Sequence, residues 1–162
     1  MDDRAYDVLA IGNAIVDVIA DSDDSFLARH AMAKGSMRLI DESEAESLYA
    51  DMGPGREASG GSAANTVAGL AALGLKSAFI GQLGDDELGA IFRHDIRSLG
   101  VDFDTDSRSD AGPTGRCLIL VTADAQRTMS TFLGAAQRLT SSAVDRHRIA
   151  SSRILYLEGY LW

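Results

Sequence analysis

The sequence predicts an α/β protein, a parallel sheet wrapped by helices with an antiparallel hairpin added. Three observations carry this expectation. Apolar runs of strand length alternate with helical stretches along the chain, as in parallel strands joined by crossover helices. Arg116 to Thr122 and Thr128 to Leu133 flank Ala123-Asp124-Ala125-Gln126, the arrangement of a hairpin. And 162 residues, 46% hydrophobic and 24% charged, suffice for one ordinary domain with a buried core.

Tyr6 to Gly12 (YDVLAIG) is apolar and too short for a helix, so it is expected as a buried strand. Ile15 to Ala20 alternates and gives a second extended piece. Asp41 and Glu44 form a capping box ahead of Ala45, Leu48, Tyr49 and Met52 at helical spacing, and Gly53-Pro54-Gly55 ends that helix. Gly60-Gly61-Ser62 opens a small-residue helix closed by Gly74. Ala78 to Leu83 is strand-like, and Gly84-Asp85-Asp86 leads into a helix closed by Gly100. A short helix over Ser142 to Ala150 precedes a strand over Arg153 to Leu157. That strand is followed only by Glu158-Gly159-Tyr160-Leu161-Trp162, so an edge or face of the sheet is expected to lack a covering helix within this chain.

Fifteen basic against twenty-four acidic residues give a net charge of −9. So acidic a surface repels polyphosphate chains and anionic bilayers, which argues against nucleic acid and membrane partners. The single cysteine, Cys117, excludes an internal disulfide or a Cys-rich metal site and is expected as a small core hydrophobe. The opening Met1-Asp2-Asp3-Arg4 lacks a secretory pattern, and a cytoplasmic location is the expectation. His30, His94 and His147 stand apart in expected helices without ligand spacing. Gly69 to Ser77 is no P-loop, because Leu75 separates Gly74 from Lys76.

The candidate binding residues gather at strand and helix junctions. The only two asparagines are Asn13, just past the first strand, and Asn65, on the first turn of the small-residue helix. Asp17 lies four positions after Asn13. Ligands of open α/β sheets bind beyond the carboxyl ends of strands, and a carboxylate with two amides suits a hydroxyl-rich ligand. Gly60 and Gly61 let backbone approach such a ligand at a helix N-terminus. The same residue types also serve ordinary turns and tight helix packing.

Together these residues resemble the ribokinase-like (PfkB) family of carbohydrate and nucleoside kinases. The run from Ser59 to Gly89 matches its first signature at Gly60-Gly61, Asn65, Gly74 and Gly84-Asp85-Asp86-x-x-Gly89. Gly12-Asn13-x-x-x-Asp17 and Pro113-Thr114-Gly115 match as well, with Val67 the one departure. The tail and the Gly35 to Ile40 segment look most like bacterial members called adenosine kinase or sugar kinase.

The resemblance implies a three-layer α/β/α domain with a small antiparallel β lid, whose strands fall near 15–20, 35–40 and 116–133. It implies transfer of a phosphoryl group from ATP, with Mg2+, to a hydroxyl of a sugar or ribonucleoside. It assigns substrate binding to Asn13, Asp17, Gly60, Gly61, Asn65 and, more loosely, Glu158. Met37, Phe132 and Leu133 are candidates for a purine surface or, alternatively, plain core. The family's Gly-Ala-Gly-Asp run, with its catalytic base, does not occur here, nor does the Asn-x-x-Glu motif linked to Mg2+. The expectation is that both lie beyond Trp162, that no residue here is catalytic or metal-ligating, and that the 162 residues alone are inactive. A homodimer through the lid is expected. The alternative is a non-catalytic homologue that binds sugar or pairs through its lid.

Overall fold

The computed structural model describes residues 4–161. Met1 to Asp3, on which the reading of the opening residues rests, and Trp162 lie outside them. The strands are β1 (Tyr6–Ile11), β2 (Ile15–Asp21), β3 (Met37–Leu39), β4 (Arg56–Gly60), β5 (Ser77–Ile80), β6 (Val101–Phe103), β7 (Gly115–Val121), β8 (Arg127–Phe132) and β9 (Ser152–Leu157). The helices are α1 (Asp24–Arg29), α2 (Glu42–Asp51), α3 (Ser62–Ala72), α4 (Glu87–Ser98) and α5 (Arg146–Ala150).

Two sheets result. One is all parallel, in the order β6-β5-β1-β9. The other is mixed, in the order β3-β8-β7-β2-β4, and takes the place expected of the lid. Its hairpin β7–β8 is antiparallel, as expected, and the turn between the strands is five residues long, Thr122 to Gln126. The first sheet places β1 between β5 and β9, so the chain reverses its winding at the carboxyl end of β1, where open α/β sheets bind ligands.

One core cluster joins the layers. Val8, Ala10, Phe79, Phe92 and Phe103 of the parallel sheet and α4 belong to it, together with Val16, Val18, Leu118 and Leu120 from the back of the second sheet. The three phenylalanine rings pack with centroids 5.4 to 6.0 Å apart. β9 lies at the sheet edge with Ile154, Leu155, Tyr156 and Leu157 exposed. Among the described residues no helix is long and apolar enough to cross a membrane.

Several elements differ from the sequence expectation. The strand expected over Ala78 to Leu83 ends at Ile80, because Gln82 turns its side-chain amide onto the carbonyls of Leu83 and Asp106. The helix expected over Ser142 to Ala150 splits into a 3-10 turn, Ser141–Ala143, and α5, which Asp145 caps at the amides of His147 and Arg148. His30 caps the C-terminal end of α1 rather than lying inside a helix. Asp41 does accept from the Glu44 amide, so the start of α2 is as expected.

The Gly84-Asp85-Asp86 block proves to be a fastening. Asp86 caps α4 at the Gly89 amide (2.8 Å) and also accepts from the Thr114 hydroxyl (2.6 Å) and amide (2.7 Å). The Thr114 oxygen in turn accepts from the Gly84 amide. One carboxylate thus ties α4 to the entry of β7. Asp86→Ala removes a cap and two further charge-assisted bonds, an expected loss of about 2–3 kcal/mol. Urea unfolding should show a clearly lower midpoint, and an unchanged midpoint would refute the fastening.

Candidate acceptor-binding site

Two crossings between the sheets meet at the carboxyl end of β1. The chain leaves β1 for β2 through Gly12, Asn13 and Ala14, and returns from β4 to α3 through Gly60 and Gly61. Between them and the inner face of the second sheet opens a cavity of about 470 Å³.

Strand register builds its ceiling. Asp17 pairs with Cys117, Cys117 with Thr131, and Thr131 with Leu39. All four line the cavity, forming one transverse row across β2, β7, β8 and β3. The row runs from a carboxylate through a thiol and a hydroxyl to an aliphatic chain. Met129 and Met37, one row along, extend the apolar end.

Asp17 is half-buried, and no hydrogen bond reaches its carboxylate among the described residues. Burial pushes its pKa up to about 6, against the opposing pull of the Arg127 charge. Gly60 makes room for it: a Cβ there would lie 2.3 Å from the Asp17 carboxyl carbon. Asn13 is buried, and its side-chain Oδ1 has no partner among the described residues although the residue lines the cavity. An unpaired buried amide oxygen costs free energy until a donor arrives. These two acceptors are the groups a bound hydroxyl would satisfy.

Glu158 is also buried, just past β9, but its oxygens are engaged. It accepts from the Asn13 amide (2.6 Å), the Ser62 hydroxyl (2.5 Å) and the Ala63 amide (3.2 Å). Cys117 is buried as expected, yet it faces the cavity, and burial raises its thiol pKa to about 11. The Thr131 hydroxyl donates to its sulfur at 3.3 Å. Such a thiol stays protonated and unreactive near neutral pH.

The structure therefore brings together Asn13, Asp17, Gly61 and Glu158, with Gly60 directly behind Asp17. It does not bring Asn65 to the cavity wall: that side chain is exposed on the first turn of α3, three residues from Ser62, which does line it. Of the purine-surface candidates, Met37 and Leu133 line the cavity, while Phe132 packs against the core. Ser62, Thr131, Leu39 and Met129 were missed by sequence reasoning. Ser62 stood beside Gly60-Gly61, but a serine at a helix start signals a turn as readily as a site. The other three are identified only by register. Among the described residues no group of three or more His, Cys, Asp or Glu is placed to hold a metal ion.

Comparison with known proteins identifies the family and the fold. The model of the pfkB family carbohydrate kinases matches residues 6–162. The solved adenosine kinase of Sinorhizobium meliloti is 52% identical, with a TM-score of 0.90 over 98% of this chain and 48% of its own. A probable sugar kinase of Rhizobium etli CFN 42 is 48% identical, with a TM-score of 0.91 over the same shares. An ATP-dependent ribose-1-phosphate kinase of Halopiger xanaduensis is 33% identical over 102 residues, 63% of this chain and 34% of that protein. The chain thus spans about half the length, or less, of these relatives.

Proposed function

Because the chain belongs to the pfkB family of carbohydrate kinases, we propose that it supplies the acceptor site of an ATP-dependent kinase phosphorylating a hydroxyl of a sugar or ribonucleoside. The observation that carries this is the pairing of two uncommitted acceptors, the Asp17 carboxylate and Asn13 Oδ1, in one cavity of about 470 Å³. Asp17 accepts from acceptor hydroxyls, Asn13 Oδ1 from a neighbouring one, and Gly61 lets the ring lie against backbone. The role of these residues is to orient the acceptor and exclude water, so that transfer outcompetes hydrolysis.

The apolar end of the ceiling favours a nucleoside over a free sugar. Met37 and Leu39 are 52% and 63% exposed, and with Met129 and Leu133 they offer an apolar surface to a nucleobase beside the hydroxyl-binding end. Kinases of this family use ATP. ATP and Mg2+ belong to the proposed reaction, and none of the described residues is assigned to hold the metal. No step is assigned to it, and no residue here is proposed as the catalytic base. A cytoplasmic location, where ATP is plentiful, belongs to the same reading. So does a homodimer through the second sheet, whose edge strand β3 and exposed Ile19 leave apolar surface open. Light scattering that finds only monomer at micromolar concentration would overturn the dimer.

The test is ATP-dependent turnover by the full-length protein over a panel of purine nucleosides and free sugars. Acceptor-dependent ADP formation, fastest with a purine nucleoside, is expected. ADP release that no acceptor stimulates would favour the non-catalytic binding homologue. The pH profile is a second check. A carboxylate whose pKa in the folded protein is about 6 loses its charge as pH falls through 6. The acceptor KM should therefore rise about tenfold per pH unit below 6, and this limb should vanish in Asp17→Asn.

A further inference from the structure

We infer that Glu158 acts as a positioning residue: its carboxylate clamps both crossings between the sheets and thereby fixes the acceptor site. This rests on the acceptor-site reading above. Glu158 is 4% exposed, and a buried carboxylate is tolerated only when donors surround it. Its three donors come from two distant chain segments. One is the backbone N–H of Asn13, 145 residues away in sequence, at the β1-to-β2 crossing. The others are the Ser62 hydroxyl and the Ala63 amide at the β4-to-α3 crossing, 96 and 95 residues away.

The second crossing needs this help. The N-cap of α3 is Gly61, which has no side chain and makes no side-chain cap bond. The first amides of a helix have no partner within it, and their partial positive charge favours an anion. Glu158 therefore supplies, from just past β9, the cap that the local sequence omits. The first crossing gains equally. Holding the Asn13 amide fixes the residue whose Oδ1 stands unpartnered at the cavity. The two crossings also touch, since a Cβ on Gly61 would lie 2.4 Å from the Asn13 carbonyl oxygen. Asn13, Gly61 and Ser62 are thus held in one mutual arrangement by a single carboxylate.

Glu158 itself lines the cavity, so the competing role is a direct contact to one acceptor hydroxyl. Two measurements on the full-length protein separate the roles. In Glu158→Gln, a side-chain NH2 replaces an acceptor facing N–H and O–H donors. Amide hydrogen exchange at Asn13 and Ala63, read without ligand or activity, should speed up at least tenfold. The acceptor KM should rise on the order of 10- to 100-fold, with a smaller change in kcat. That rise should be the same within about threefold for the parent acceptor and for each analogue lacking one hydroxyl.

Unchanged exchange would overturn the clamp. So would a KM penalty that disappears for one particular deoxy analogue, the mark of a direct contact. Should Glu158→Gln fail to fold, Ser62→Ala removes one of the three bonds, and faster exchange at Ala63 is then expected, unchanged exchange again being contrary. A wild-type protein without kinase turnover would defeat the functional reading, while the exchange measurement would still decide the clamp.

Discussion

Asp17→Ala should reduce kcat/KM for the acceptor by about 100-fold or more in the full-length protein, with the fold intact. Asp17 has no hydrogen bond to its carboxylate among the described residues and a pKa pushed up to about 6 by burial, so the folded chain gains little from it. An acceptor would gain much. Two charge-assisted hydrogen bonds from adjacent hydroxyls are worth about 3 kcal/mol together, after discounting for an open cavity, and that is roughly two powers of ten.

The sign of the stability effect is a separate check. A carboxylate whose folded pKa lies above its unfolded value binds more protons when folded. Between pH 4 and 6, stability therefore falls as pH rises, and above 6 the whole penalty is present. Replacing Asp17 with Asn removes the penalty. Thermal melts at pH 7.5 should show Asp17→Asn at least as stable as wild type, by about 1 kcal/mol at most given water's access to the cavity. A variant that binds acceptor normally, or that melts well below wild type, would contradict the role given to Asp17.

Gly61→Ala should be the most damaging small substitution in the site. Gly61 sits at φ +97° and ψ 142°, a region that essentially only glycine enters. The added Cβ would also lie 2.4 Å from the Asn13 carbonyl oxygen, a backbone atom that cannot move aside cheaply. Strain and clash together should cost about 3 kcal/mol, near 10 °C in melting temperature for a chain of this size. The relief, moving Asn13, would carry its Oδ1 away from the acceptor, so KM should rise with the loss of stability. A Gly61→Ala protein with wild-type melting and KM would show that the two crossings do not touch as described.

Much of this molecule was legible from its residues, and the failures have physical causes. β1, the hairpin and the amphipathic α4 were visible because apolar periodicity reports burial directly. β4 was not, since Arg56-Glu57-Ala58-Ser59-Gly60 carries no apolar pattern. It is a strand because β2 offers it an antiparallel edge, from Ile15 opposite Gly60 to Ile19 opposite Arg56. β6, of three residues, is too short for periodicity to show. In the site, Asn13 and Asp17 stand out as polar residues at strand ends. The thiol, hydroxyl and aliphatic members of the ceiling look like ordinary strand interior, and only the register of β2, β7, β8 and β3 aligns them with Asp17. Glu158 was noticed as a polar residue after a strand, but its three partners lie more than ninety residues away, beyond any local pattern.

The most direct test is a crystal structure of the full-length protein with a purine nucleoside bound. Ribose hydroxyls should lie about 2.6–3.2 Å from the Asp17 carboxylate and Asn13 Oδ1, with the base against Met37, Leu39 and Met129. A nucleoside seated elsewhere, with Asp17 and Asn13 Oδ1 still unpartnered, would contradict the assignment of this cavity as the acceptor site.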